Sequence, residues 1–338
     1  MKTRLALLMA VISLAVLPIL SSSQQTPVSV KDIELADPFP PVVCNLKTVF
    51  GDTAFKWHLE NNSTEAVTVI LSTEILGWSH KATKTITLNP ERKATIGQFP
   101  SCKDKFMQNR EVKSVDTRFV MKHQDKVIYD QTKTIKVLPR GDMLWRDDDG
   151  SDLTILIAGW VTPHDPVINK VLSLAKERMS DRSFFGYQIT DQKRQIIRTY
   201  HETRAIYTTL REDLGISYVN TPTSFSPGAS QRVRLPRESI EEKSANCIDG
   251  TVLLASCLEA LGYEVSIMLV PQHAFLSVRG APGSNQYVFV ETTVMGQNNF
   301  ETSVKRGNRN YQKALKTGYK EVNINDCRRL GINPMSFN

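Results

Sequence analysis

The stretch Asn246-Cys247-Ile248-Asp249-Gly250-Thr251-Val252-Leu253-Leu254-Ala255-Ser256-Cys257-Leu258-Glu259-Ala260-Leu261-Gly262 decides the reading of this chain. Ile248, Val252, Leu253, Leu254, Ala255, Leu258 and Leu261 make a helix here apolar nearly all round, the pattern of a buried central helix. It begins near Asn246 or Cys247, and Gly262 stops it. Cys247 therefore stands at a helix N-terminus. There the dipole and the free backbone N–H groups stabilise a thiolate and lower a thiol pKa. The same N–H groups can hold an oxyanion. Asp249 falls in the first turn, where a carboxylate suits the dipole, and reads as structural. Cys257 follows ten residues along the same helix, about 15 Å away at the helical rise. A disulfide needs Cα atoms about 4.4–6.8 Å apart, so Cys257 reads as a small core residue. Cys327 lies in a polar stretch and has no assigned role; the sequence leaves a Cys247–Cys327 bond open.

Downstream come strand-like runs over 265–270, 274–278 and 287–290, the last two joined by a turn at Gly280-Ala281-Pro282-Gly283-Ser284-Asn285. His273 enters the second strand after Pro271-Gln272. Glu291 ends the third, before Thr292-Thr293. Antiparallel pairing would set the carboxylate against the imidazole. The order Cys247, His273, Glu291 then supplies a nucleophile, a general base and an orienting acid. Tyr218 and Gln231, upstream, have side-chain donors suited to a second oxyanion contact; Gln231 reads equally well as a structural hydrogen-bonder to the loop before Cys247. Zinc held by Cys247, His273 and Glu291 is disfavoured, because the closely spaced Cys or His pairs of a zinc site are missing.

These residues carry a resemblance. Ser244-Ala245-Asn246-Cys247-Ile248-Asp249 and the helix after it resemble the G-x-C motif and helix of the transglutaminase-like superfamily. His273-Ala274-Phe275-Leu276-Ser277-Val278 resembles its His-Ala-Trp/Phe strand, and Val290-Glu291-Thr292-Thr293 the segment that usually reads Asp-Pro-Thr. Tyr218 and Gln231-Arg232-Val233-Arg234-Leu235-Pro236 are similar to bacterial members described as transglutaminase-like cysteine peptidases. The similarity covers roughly residues 191–296. It implies a papain-like α+β core in which Cys247 is the nucleophile, His273 the base and acid, and Glu291 the orienting carboxylate. Ala245 stands where many relatives have Gly, Glu291 where Asp is commoner, and the Cys-to-His interval of 26 residues is short. The resemblance implies acyl transfer on protein or peptide amides without a cofactor. Its bacterial side favours a peptidase or amidase. Cross-linking by a transglutaminase and a non-catalytic binding or assembly module are the alternatives within the same superfamily.

Working outward, Asp165-Pro166 caps a helix whose Val167, Val171, Leu174 and Ala175 share a face. A second helix spans about Asp191 to Leu214, ended by Gly215. Before residue 140 the period changes to two. Phe55-Trp57-Leu59, Val67-Val69-Leu71, Ile86-Leu88, residues 112–120, Val127-Tyr129 and Ile135-Val137 read as short strands of a β-sandwich over 42–140. Cys44, Trp57 and Cys102 resemble the Cys…Trp…Cys spacing of immunoglobulin domains, without the Tyr expected two residues before the second Cys. Cys44 and Cys102 are the candidate disulfide. Asn61-Asn62-Ser63-Thr64 holds two overlapping glycosylation sequons and reads as a polar turn. Residues 24–41, rich in Pro, read as an extended lead-in. Residues 139–151 read as a linker or domain boundary before a transglutaminase-like α+β domain over 152–338. The acidic run Asp147-Asp148-Asp149 suits a hard cation but lacks calcium-loop spacing, so it reads as a solvated turn.

The ends and the composition bound the rest. Met1-Lys2-Thr3-Arg4, the apolar run from Leu5 to Leu20 and Ser21-Ser22-Ser23 have the form of a signal peptide over 1–23. The apolar run is shorter than the ~20 residues of a spanning helix, and no second run of that length follows. The expected mature chain is exported, periplasmic or secreted, with no integral membrane segment. With 338 residues, 41% hydrophobic and 23% charged, the chain is neither wholly disordered nor low in complexity. Its net charge of +7 falls to +5 without Lys2 and Arg4. The basic residues form no run, so no nucleic-acid partner is expected. A protein or peptide substrate is.

Overall fold

The structure is a computed structural model that describes residues 26–46, 54–147, 149–220 and 229–335. The expected signal peptide lies outside the described residues. Strands β1 (Val28–Leu35), β2 (Phe55–Asn61), β3 (Val67–Ile75), β4 (Ala82–Leu88), β5 (Lys93–Gln98), β6 (Lys113–His123) and β7 (Lys126–Val137) build the N-terminal region, with a short helix α1 (Lys105–Gln108) before β6. They form two antiparallel sheets, ordered β1-β2-β5 and β4-β3-β6-β7.

Alternation explains the pairing of the sheets. Phe55, Trp57 and Leu59 of β2 are buried on the same side, as are Val67, Val69 and Leu71 of β3. Both sheets feed one apolar core. The Phe119 ring of β6 meets Phe55 and Trp57 edge-on at 5.7 and 5.5 Å. The Trp57 indole N–H donates to Gln98 Oε1 at 2.9 Å and lies 3.1 Å from Thr73 Oγ1, so the buried ring leaves no unpaired donor.

The segment expected as a lead-in is a working strand. β1 pairs along β2, and its Val28 and Ile33 are buried. A register shift between Val30 and Asp32 breaks the alternation, which is why the two-residue period is hidden in the sequence. Cys44 and Cys102 are joined in a disulfide. Neither half lies in a strand: Cys44 sits in a 3₁₀ turn over Pro41–Asn45, and Cys102 in a bridge to Ser79. The bond therefore staples two loops, unlike the strand-to-strand bridge that immunoglobulin spacing implies. Asn61 is a turn-builder, as expected. It is buried, its amide donates to the Glu65, Leu88 and Asn89 carbonyls, and its Oδ1 accepts from Ser63.

The expected boundary at 139–151 is not a free linker. It carries β8 (Asp142–Leu144), and Met143, Leu144 and Trp145 are buried. Asp147 caps a small turn through Ser151 N and Gly150 N. A 3₁₀ helix over Thr154–Trp160 follows, then α2 (Pro166–Ala175), α3 (Gln192–Thr208), β9 (Ser217–Tyr218), β10 (Ser230–Arg232), α4 (Pro236–Glu241), β11 (Ser244–Ala245) and α5 (Cys247–Ala260). The chain finishes with β12 (Val265–Val270), β13 (His273–Arg279), β14 (Tyr287–Val290), α6 (Phe300–Thr317), β15 (Lys320–Asn323) and α7 (Ile324–Arg329). Asp165 and Asp191 cap α2 and α3 as expected; α3 then passes into a π-helical turn over Thr209–Asp213.

The main sheet of this half is antiparallel, ordered β14-β13-β12-β15. β8 pairs with β10, and β11 with β9 in parallel. Helix α5 is the core piece the sequence implied. Residues 247–258 are all buried, and the helix packs across β12 and β13. Gly262, at φ +79°, turns the chain back toward β12 where a side chain would be strained. The two regions are not cleanly separate at residue 42: Val42 and Leu46 enter the core of the second half. Arg140 also pairs with Glu238 of α4 at 2.9 Å. No described helix is long and apolar enough to cross a membrane.

Candidate active site

Cys247 is the first residue of α5. The Asn246 side chain caps the helix through Asp249 N at 2.9 Å, and Asp249 returns a bond to Asn246 N at 3.1 Å. This reciprocal box fixes the angle at which Cys247 leaves the preceding strand. Asp249 is fully buried and takes the Arg234 backbone N–H and guanidinium at 2.8 and 3.0 Å. Burial raises its pKa, against the pull of those bonds. It braces the helix start, as its first-turn position implied. The Cys247 carbonyl is tied down by Thr251 Oγ1 at 2.7 Å and Thr292 Oγ1 at 3.2 Å. The second bond fastens α5 to the segment just after Glu291.

His273 and Glu291 arrive from neighbouring strands. β12 turns into β13 through Pro271-Gln272, with Val270 opposite His273 and Gln272 at φ 61°. In the β13–β14 register Leu276 faces Val290, so Glu291 falls one step beyond, on the His273 side of the pair. The result is a bond of 2.6 Å between His273 Nε2 and Glu291 Oε2. Glu291 Oε1 accepts from the Thr293 N–H and hydroxyl at 2.9 and 2.7 Å. Hydrogen bonding and charge from Cys247 act on the same imidazole. The three expected residues are therefore brought together around the His273 ring.

The electrostatics follow from this placement. Burial disfavours the imidazolium, but hydrogen bonds and charge from Cys247 and Glu291 outweigh it and raise the His273 pKa to about 10. Burial likewise opposes a charged Glu291, yet bonds from His273 and Thr293 hold its carboxyl below the usual range.

Tyr218 also reaches the site. β9 pairs with β11, setting Tyr218 opposite Ala245, two residues before Cys247. It lines a cleft of about 430 Å³ with Ser217, His273, Thr293, Gln297 and Arg306. Burial, and then the charges of Cys247 and Glu291, raise its pKa. Gln231 is placed differently. It is buried on β10 opposite Met143, its Oε1 accepts the Trp145 indole N–H at 2.9 Å, and it does not line the cleft. Gln231 is thus a structural hydrogen-bonder, but to Trp145 and not to the loop before Cys247 as the sequence alternative had it.

One participant was missed. Asn310 of α6 donates through Nδ2 to Glu291 Oε2 at 2.5 Å and lies 3.5 Å from His273 Nε2. It holds the same oxygen that holds the ring. Ser303 of α6 donates to the Glu291 carbonyl at 2.7 Å. Helix α6 can approach this closely because of Gly307: a Cβ there would lie 2.3 Å from the Phe289 carbonyl oxygen. No motif points to Asn310, because its role is set by helix-on-strand packing far along the chain.

The other thiols are separate from the site. Cys257 and Cys327 are free and buried in the core, and the Cys247–Cys327 bond that the sequence left open is not formed. Burial pushes the Cys257 thiol up, and the Cys327 thiol up to about 11. Among the described residues no cluster of three or more His, Cys, Asp or Glu is arranged to hold a metal ion. No protein-family model and no curated protein matches the chain. The geometry of the site therefore carries the functional reading alone.

Proposed function

We propose that the chain is an exported, thiol-dependent acyl-transfer enzyme, a cysteine peptidase or amidase of transglutaminase-like type. In this reading an immunoglobulin-like β-sandwich precedes a papain-like α+β domain. The observation that carries it is the His273 ring, hydrogen-bonded to Glu291 and close enough to Cys247, at a helix N-terminus, for the thiol to act on it.

The chemistry follows from the groups. His273 holds the proton of Cys247, and Glu291, fixed by the Asn310 amide, holds the resulting imidazolium in place. The Cys247 sulfur attacks an amide carbonyl, forming a C–S bond. The Cys247 N–H, at the start of α5, lies outside the helix ladder and can stabilise the oxyanion, with the Tyr218 hydroxyl as a second donor. The C–N bond breaks as His273 gives its proton to the leaving amine. Water then attacks the thioester, losing a proton to His273, and releases the acid and the thiol. An amine in place of water would give a cross-link.

The test is to incubate wild type and Cys247→Ala with an extract of exported proteins and compare products by mass spectrometry. New amine-terminated fragments made only by wild type support a peptidase, and new isopeptides a cross-linking enzyme. Identical product lists would remove the catalytic reading for those substrates and favour a binding module.

A further inference from the structure

Helix α6 carries Lys305, Arg306, Arg309, Lys313 and Lys316 against one acid, Glu301. Arg204 holds Glu301 at 3.0 Å. The five cations are exposed, and none lies within ion-pair distance of a described carboxylate. Elsewhere in this half Arg178, Arg198, Arg234 and Arg328 are each braced by carboxylates. Lys305, Arg309, Lys313 and Lys316 recur once per turn and so form one row about 16 Å long at the helical rise. Like charges one turn apart repel, so the row weakens its own helix unless an anion lies along it.

Arg306, next to the first cation of the row and on an adjoining face, lines the cleft with His273, and the residues lining that cleft include no acid. Of the carboxylates near α6, Glu291 is engaged by His273 and Asn310. Glu321 acts on Tyr311 in the second half of the helix. The five cations therefore have no ion-pair partner among the described residues, with Glu321 the acid that acts near the second half of the helix. The row was invisible as a run in the sequence, because the fold and not adjacency gathers it.

We propose that α6 is a docking surface for an acidic polypeptide. Arg306 meets the carboxylate nearest the scissile amide, and the row meets further Asp or Glu residues along one side of it. An extended chain advances about 3.3 Å per residue, so the row matches about five residues. A polypeptide is favoured over other polyanions because the row starts beside Arg306, which lines a cleft with the histidine assigned to amide chemistry; this rests on the reading of Cys247 and His273 given above.

The test uses the full chain with Cys247→Ala, so that binding is read without turnover. Fluorescein-labelled Gly/Ser peptides carrying four Glu or four Gln are compared by anisotropy. The Glu peptide should bind at least about tenfold tighter, and lose that advantage near 0.5 M salt, where charges are screened within about 4 Å. Arg309→Ser/Lys313→Ser/Lys316→Ser, with its fold checked by thermal melting, should lose it too. Equal binding of the two peptides would overturn the proposal. So would anionic phosphatidylglycerol vesicles or a single-stranded oligonucleotide binding the row without displacement by the Glu peptide. In wild type, the same peptides made as chloromethyl ketones should alkylate Cys247 faster with Glu than with Gln, and Arg306→Gln should erase the difference. Binding of the Glu peptide with no alkylation by either reagent would support docking while removing the peptidase reading.

Discussion

The two halves of the molecule bury different kinds of polar group. In the β-rich half the buried polar residues among those described are neutral: Asn61, Thr73, Ser79, Gln98, Asn109 and Thr117. In the α+β half Glu202, Asp249 and Glu291 are buried as well. A buried carboxylate is costly unless paired and hydrogen-bonded, so each needs a structure built around it. Glu202 is held by Arg198, Tyr263 and the Phe185 N–H, and Asp249 by Arg234 and Asn246. These two brace the scaffold. Glu291 faces a half-buried histidine instead, and that histidine faces a thiol. The halves also divide the cysteines: the first half closes its pair in a disulfide, and the second keeps its three free. Stability is stored in neutral bonds and a covalent staple on one side, and ionisable groups are concentrated on the other.

The sharpest way to break this contrast is Asp249→Ala. It leaves the Arg234 guanidinium without its buried partner and should cost about 3–5 kcal/mol. Hydrogen exchange should show the loss in α5 and its neighbours while β1–β7 keep their protection. Uniform loss across both halves would mean that they do not store stability separately. Next in size, Cys44→Ala/Cys102→Ala should cost about 2–4 kcal/mol, by freeing a long loop in the unfolded chain. Here the exchange pattern should reverse, with β1–β7 loosened first.

Glu291→Gln probes pH dependence. The His273 pKa is raised, so the stability it contributes is complete below about pH 6.5 and lost as pH rises toward about 10. The Glu291 pKa is lowered, so its share is present above the ordinary carboxyl value and lost as pH falls through the depressed one. Chemical denaturation of wild type between pH 7 and 10 should show this decline, and Glu291→Gln should flatten it. A wild type equally stable at both ends would contradict a charged, partnered His273. The smallest effect is expected for Asn310→Ala, which removes one hydrogen bond from Glu291. It should slow Cys247 alkylation about fivefold, the rate equivalent of about 1 kcal/mol, with little change in melting temperature. An unchanged rate would make Asn310 a packing residue only.

Much of the site was legible because local rules place it. A helix apolar on every side must be central, so its first residue, Cys247, lies at the edge of the core. Short strands then put His273 after a Pro turn and Glu291 at a strand end. What stayed hidden depends on contacts between distant elements. β1 is masked by its bulge, and Gln231 is set by Trp145. Asn310 and the basic row on α6 take their positions from the Gly307–Phe289 contact, which no period in the sequence announces.

The most direct measurement is the rate of iodoacetamide labelling near neutral pH, read residue by residue by mass spectrometry. Cys257 and Cys327 serve as buried internal controls. Cys247 should be modified readily while the controls stay unlabelled, and His273→Ala should slow the reaction at least about a hundredfold. Labelling of Cys247 no faster than that of the controls, or indifferent to His273→Ala, would contradict a working Cys247–His273–Glu291 site.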